Sequence, residues 1–202
     1  MRIHRMTVLL AIPAVMTLSG CGYNRIQTLD EQANSANHDI QTQLQRRADL
    51  VPNLVSTVKG VAKQELEVFT NVANARAKLA GAVQTGDPHQ MAEANDQLTT
   101  SLGRLLVITE NYPQLKSDQA FLRLQDELTG TENRIATSRN DYNAAVKEYN
   151  SYIRTFPQAI TAKVVGAKPR EYFEGAASAQ TAPTVDFSKP TAPASAPATS
   201  NP

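Results

Sequence analysis

The sequence predicts an all-α protein: an antiparallel up-and-down helical bundle of three to four long helices, followed by a disordered C-terminal tail. Three observations carry that expectation. Apolar residues recur in steps of three and four over most of residues 23–156, the spacing of one buried stripe on a helix. Glycine is scarce, at 9 of 202 residues, and the middle of the chain is rich in Ala, Leu, Gln and Glu, which lose little freedom on entering a helix. Strong breaks are few, and helices joined by short connections pack as antiparallel neighbours.

The first twenty residues stand apart. Arg2 and Arg5 precede an apolar run from Met6 to Leu18, too short for the ~20 residues a membrane-crossing helix needs but suited to a signal peptide. Leu18-Ser19-Gly20-Cys21 then resembles the lipobox of bacterial lipoproteins: an apolar residue, two small ones and an acceptor cysteine. Cys21 is the only cysteine, so it has no partner for an internal disulfide or a cysteine metal site. The resemblance implies cleavage between Gly20 and Cys21, then palmitate-type acyl chains on the sulfur and the new amino group. Several such chains hold far more firmly than one myristoyl group. Residues 1–20 are therefore read as a cleaved signal peptide, 21–175 as the bundle and 176–202 as the tail. The expected place is the cell envelope, facing away from the cytoplasm. Gly22, where an aspartate would retain the protein at an inner membrane, favours the periplasmic face of an outer membrane where the organism has one.

From Tyr23 onward the stripe runs Ile26, Leu29, Ala33, Ile40, Leu44, Val51, Leu54, Val58, Leu66, Phe69, Val72 and Leu79. One helix of ~60 residues would be ~90 Å long, with nothing later in the chain to cover it. Pro52 removes a donor and is best tolerated in a first turn, and Asp49 is a good N-cap three residues before it. The prediction is a hairpin of two helices, about 24–48 and 50–83. The competing reading is one long helix kinked at Pro52, which the lack of a glycine there supports.

"TGDPHQ" is a clear break: Gly86 can end one helix, Asp87 can cap the next and Pro88 suits its first position. The following stripe is Met91, Ala94, Leu98, Leu102, Leu105 and Ile108, ending near Tyr112-Pro113. The last stripe is the most regular: Phe121, Leu124, Leu128, Thr131, Ile135, Ser138, Tyr142, Ala145, Tyr149, Tyr152 and Phe156. It is a heptad-like seam on a helix expected from Ser117 to Phe156, with Pro157 ending it. Val164, Val165, Tyr172 and Phe173 are expected to fold back on the bundle. After Gly175 the chain is Ala, Pro, Ser and Thr with little charge or apolar bulk, which cannot bury a core.

Specific stretches now become recognisable. "QLQRRADLVPNLV" (residues 43–55) and "TENRI" (131–135), followed by Arg139, Tyr142-Asn143 and Tyr149-Asn150, resemble the LemA family along nearly all of residues 23–175. The resemblance implies a helical bundle facing away from the cytoplasm. It implies no particular reaction, and partners among envelope proteins, membrane proteases included. Family members usually begin with a transmembrane helix; here a lipidation signal stands in its place, which changes the anchor and keeps the side of the membrane.

Chemistry is scarce. A net charge of +1 with no tryptophan argues against nucleic acid as a partner. His38 and His89 lack companions at ligand spacing, so no metal is expected. There is no GxSxG elbow and no glycine-rich phosphate loop. The expectation is a non-enzymatic protein without cofactors.

Polar residues inside the seams are the candidates that remain. Arg47 lies on the inward stripe between Leu44 and Val51, and Glu65 between Val58 and Val72. Glu132 and Arg139 flank the last seam seven residues apart, with Asn133 and Asn143 beside them. Inward charges must be paired. Three uses are open: an interhelical network fixing register, a polar cleft for a ligand or peptide, or a carboxylate acid–base pair. The stripe Tyr142, Tyr149, Tyr152 and Phe156 is read as core, with a groove for an amphipathic partner helix as the other use. Together these predict a membrane-anchored scaffold or adaptor for other envelope proteins, with a ligand- or peptide-binding sensor as the alternative.

Overall fold

A computed structural model describes the chain from residue 2 to residue 174, with side chains from Gly22 onward. The expected cleavage at Gly20–Cys21, the Cys21 thioether and the tail at 176–202 lie outside the described side chains and residues. Six helices follow in order: α1 (Arg2–Val61), α2 (Leu66–Thr85), α3 (Pro88–Thr109), α4 (Pro113–Lys116), α5 (Gln119–Tyr152) and α6 (Gln158–Val164). There is no strand among the described residues.

The four long helices alternate in direction. Arg25 on α1 meets Glu148 on α5, and Gln43 meets Arg134, so α5 runs back along α1. Ala48 of α1 meets Arg76 of α2, and Asn37 meets Gly86, so α2 also runs back along α1. α3 then returns along α2, with Lys78 bonded to Gln97. The main packing pairs are α1 with α5, α2 with α3 and α1 with α2, whereas α3 and α5 barely approach each other. The bundle is thus open on one side.

The continuous core consists of one stripe from each helix: Ile40, Leu44, Val51, Leu54 and Val58 from α1, Phe69, Val72 and Leu79 from α2, Met91, Leu98 and Leu105 from α3, and Phe121, Ile135, Tyr142 and Val146 from α5. Fully burying one such Leu, Ile or Phe side chain stabilises the fold by ~1.5–3 kcal/mol.

The expected hairpin at residues 48–50 does not form, because α1 runs through Pro52 to Val61. A proline there leaves the carbonyl four residues earlier without its helical donor. That carbonyl belongs to Ala48, and Arg76 of α2 donates to it from Nε at 2.9 Å. Tertiary structure supplies the missing bond, so the helix continues. The break comes instead at Ala62-Lys63-Gln64-Glu65. No residue there has positive φ, and Ala62 and Phe69 are both core, seven residues apart, so the apolar period passes through the turn unaltered. Leu66, placed on the stripe by spacing, is exposed at this turn, as is Val61.

The α2–α3 connection follows its local chemistry. Gly86 caps α2 at φ 67°, in the left-handed region that favours glycine. A Cβ there would also stand 2.9 Å from Gln41 Nε2. Asp87 Oδ1 accepts from the Gln90 amide at 3.0 Å, and Pro88 opens α3. Asp118 caps α5 in the same way, accepting from the Ala120 and Phe121 amides.

Helix α5 ends at Tyr152, a turn short of Phe156, which is 78% exposed. Its expected place in the aromatic core is corrected accordingly: Tyr142 and Tyr149 are buried, Tyr152 is intermediate and Phe156 faces solvent. Of the four residues expected to fold back, only Phe173 is buried; Val164, Val165 and Tyr172 are exposed.

Candidate functional site

The polar residues of the seam separate into two groups along α5. The first surrounds Arg47, which α1 places one turn after Leu44 and therefore on the buried side. The residue is only 5% exposed. Its Nη1 donates to Asn95 Oδ1 on α3 and stands 2.5 Å from Glu132 Oε2 on α5. The Glu132 side chain is 42% exposed, so the pair runs from the interior to the surface. Arg47 Nε has no hydrogen-bond partner among the described residues, and Glu132 Oε2 has only its ion pair with Arg47 Nη1. Burial pushes the Arg47 guanidinium below its ordinary range, opposed by the charges of Glu132 and Asp96.

This pair lines a cleft of about 340 Å³ where α3 and α5 stand apart. Leu54, Leu102, Leu106 and Leu128 form apolar walls, while Thr99, Gln125 and Asn133 line the polar remainder. Gly103 also lines it, leaving room where a larger residue would fill the gap. A guanidinium stays charged through the working pH range, so Arg47 can hold and orient an acceptor but cannot shuttle protons.

The second group lies farther along α5, where the chain after α6 returns as an extended strap over α1 and α5. Asn143 Nδ2 donates to the Phe173 carbonyl at 3.2 Å, and its Oδ1 accepts from the Phe173 amide at 2.8 Å. Asn150 repeats that two-way bond with the backbone of Arg170. The Arg170 side chain donates to Asp30 and Asn34 on α1, each at 2.8 Å, and lies over the Tyr149 ring. Hydrogen bonding to Asp30 raises its pKa. Arg139 stands 5.0 Å from the centre of the Phe173 ring, and the Tyr142 hydroxyl donates to the Glu171 carbonyl. Burial pushes the Tyr142 and Tyr149 hydroxyls above their usual range.

Of the sequence candidates, Arg47, Glu132 and Asn133 therefore meet at the cleft, while Arg139 and Asn143 belong to the strap. Glu65 joins neither; it precedes α2 in the turn after α1. His38 and His89 are exposed. Among the described residues no group of three or more His, Cys, Asp or Glu could hold a metal, and no helix is long and apolar enough to cross a membrane.

Several residues escaped the sequence reading. Asn95 falls at helical spacing between Met91 and Leu98, and Asn150 between Val146 and Ile153, so an inward amide was legible in each stripe. Arg170 carried no such signal, since its partners lie about 140 positions earlier in the chain and outside any local period.

Comparison with known proteins adds the following. The LemA family profile matches residues 36–187. The magnetosome proteins MamQ 1 and MamQ 2 of Paramagnetospirillum magneticum are each 27% identical over 200 residues, covering 85% of this chain and 72% of theirs. Protein LemA of Metamycoplasma hominis is 25% identical over 133 residues, which is 66% of this chain and 60% of its own length. Neither the family nor these relatives carry an enzyme's name.

Proposed function

This chain belongs to the LemA family, and from that premise we propose that it is a non-enzymatic helical adaptor, held at an envelope membrane through acyl chains on Cys21. The observation that carries the adaptor reading is the α3–α5 cleft, an apolar trough with a buried guanidinium in its lining. Such a trough fits the apolar side of a partner's helix or peptide, with Arg47 and Glu132 selecting for a polar group at one point. Likeness to proteins named for the magnetosome supports membrane association. The lipobox at residues 18–21 supports the anchor and a location outside the cytoplasm, and envelope proteins, membrane proteases included, are the partners in view.

Two experiments test the reading. Metabolic labelling with a fatty acid should mark the wild-type chain and leave Cys21→Ser unmarked. A photocrosslinker at Gln125, in the cleft, should capture a discrete protein in cells, whereas one at Thr70, on the exposed outer side of α2, should not. Equal capture from both positions, or from neither, counts against the adaptor.

A second reading has its own observation. Arg47 Nε lacks a partner in a cleft large enough for a small ligand, which favours a sensor of small acceptor-bearing molecules. It expects the melting temperature to rise with an extract of small molecules, and that rise to vanish in Arg47→Leu.

A further inference from the structure

At the end of the bundle where the chain leaves Cys21, several large apolar side chains face outward. Phe156 is 78% exposed, Ile160 59% and Val164 82%. Ile160 and Val164 are one helical turn apart on α6 and line one shallow surface with Ala159 and Lys163. The opposite side of α6 is well packed, because Ala162 is buried with Ile26, Leu29, Tyr149 and Ile153. α6 is thus held firmly by one side and turns apolar residues away from the protein by the other. A soluble surface carries scattered apolar residues without consequence, but an aligned set beside an anchor is different.

Position supplies the second observation. A Cβ on Gly22 would stand 3.4 Å from Thr161 Oγ1 of α6, and Cys21 is the residue before it, ~3.8 Å away along the chain. Acyl chains on Cys21 would therefore enter a bilayer directly beside α6. Charge supplies the third. From Tyr149 to Arg170 the chain has Arg154, Lys163, Lys168 and Arg170 and no acidic residue, although the whole chain is nearly neutral. Of the acids on the neighbouring helices, Glu148 is paired with Arg25 and Asp30 with Arg170. Arg154, Lys163 and Lys168 are exposed.

We infer that Phe156, Ile160 and Val164, with Lys163 beside them and the exposed Arg154 and Lys168 in the same acid-free stretch of chain, form a surface that rests on an anionic lipid bilayer. This rests on the reading that Cys21 carries the acyl anchor. Apolar residues with a basic rim are the chemistry of interfacial binding, where apolar burial and attraction to anionic headgroups add. The contact sets the tilt of the whole module. α1 rises ~60 Å from Gly22 to Val61, so a second point of contact beside the acyl chains determines where the α3–α5 cleft points.

The chain has no tryptophan, so Val164→Trp introduces a sole reporter at a site too exposed to disturb folding. Val107→Trp, 65% exposed near the other end of the bundle, is the control. Full-length acylated protein is placed in phosphatidylethanolamine–phosphatidylglycerol vesicles whose acyl chains carry bromine, with flotation measured in parallel. The expected result is fluorescence at position 164 reduced about twofold or more, with position 107 unchanged, since bromine quenches only at the depth of the acyl boundary. Flotation without quenching at 164 overturns the lipid surface and leaves the anchor standing, and self-association then becomes the use of the patch. Quenching at both positions overturns it as well, because the bundle then lies flat. Absence of both flotation and quenching removes anchor and surface together.

Discussion

At the strap, each buried amide meets a complement: Asn143 and Asn150 both give and accept a bond with the returning backbone, and Arg170 spans Asp30 and Asn34. About 15 Å away along α5, from Asn143 to Asn133, the cleft is built differently. Arg47 is buried more deeply than Arg170, yet its Nε has no hydrogen-bond partner among the described residues. A satisfied network specifies one arrangement, whereas an incompletely satisfied buried charge lowers stability. The contrast teaches that inward polar residues of one seam need not share a purpose. The strap uses its polar groups to close the fold, whereas the cleft leaves the buried Arg47 Nε without a hydrogen bond among the described residues.

The hardest test of this contrast is at the strap. Phe173→Ala should destabilise the protein by about 3–5 kcal/mol, because it empties a filled core position and loosens the strap. Urea unfolding measures it, and a loss below ~1 kcal/mol would show that the strap is peripheral.

At the cleft the signs should differ between two substitutions. Glu132→Gln leaves Arg47 without its anion and should cost about 1–3 kcal/mol, the lower part of the range reflecting the exposure of Glu132. Arg47→Leu, made together with Glu132→Gln, removes the unpaired cation but takes the donor from the buried Asn95 Oδ1, so it should recover part of that loss while abolishing crosslinking from Gln125. If the double variant is less stable than Glu132→Gln alone, Arg47 is a structural keystone and the contrast with the strap disappears.

A smaller effect concerns Arg76. Arg76→Ala leaves the Ala48 carbonyl without its donor and should cost about 1–2 kcal/mol. In a Pro52→Ala background the helix supplies its own bond, so the same substitution should cost measurably less. Additive losses across that double-mutant cycle would show that Arg76 contributes packing only.

The mildest effect is on pH dependence. The folded-state pKa values of Tyr142 and Tyr149 lie above the ordinary 10.0, so the neutral hydroxyl is the form the fold favours. Their contribution is complete below the unfolded value and is lost as pH rises through the folded one. Stability should therefore fall only in the alkaline range, and Tyr142→Phe, which also loses the bond to Glu171, should flatten that fall. An unchanged alkaline limb would remove Tyr142 from the account.

Much of the fold was legible before any coordinates. Gly86-Asp87-Pro88 carries its own turn chemistry, and the helical spacing of Ile40, Leu44, Val51, Leu98 and Tyr142 marked them as core. The candidate site was legible only in part. Arg47 and Glu132 stood out as polar residues within or beside stripes, but Glu65 shared that pattern and sits in a turn, while Asn95 was overlooked on a stripe of its own.

What the amino-acid order determined alone was the helical character, the inward stripes and the turns that rest on glycine, proline or a capping carboxylate, because each depends on neighbours within a turn of helix. Tertiary structure alone decided where the first helix ends, which polar residues meet and which apolar ones stay outside. Pro52 passes without a break because Arg76 reaches across from another helix, and Arg170 finds its partners at the far end of the sequence. Such contacts join groups distant in the chain, and a periodic pattern records only which side of a helix is buried, never what it is buried against.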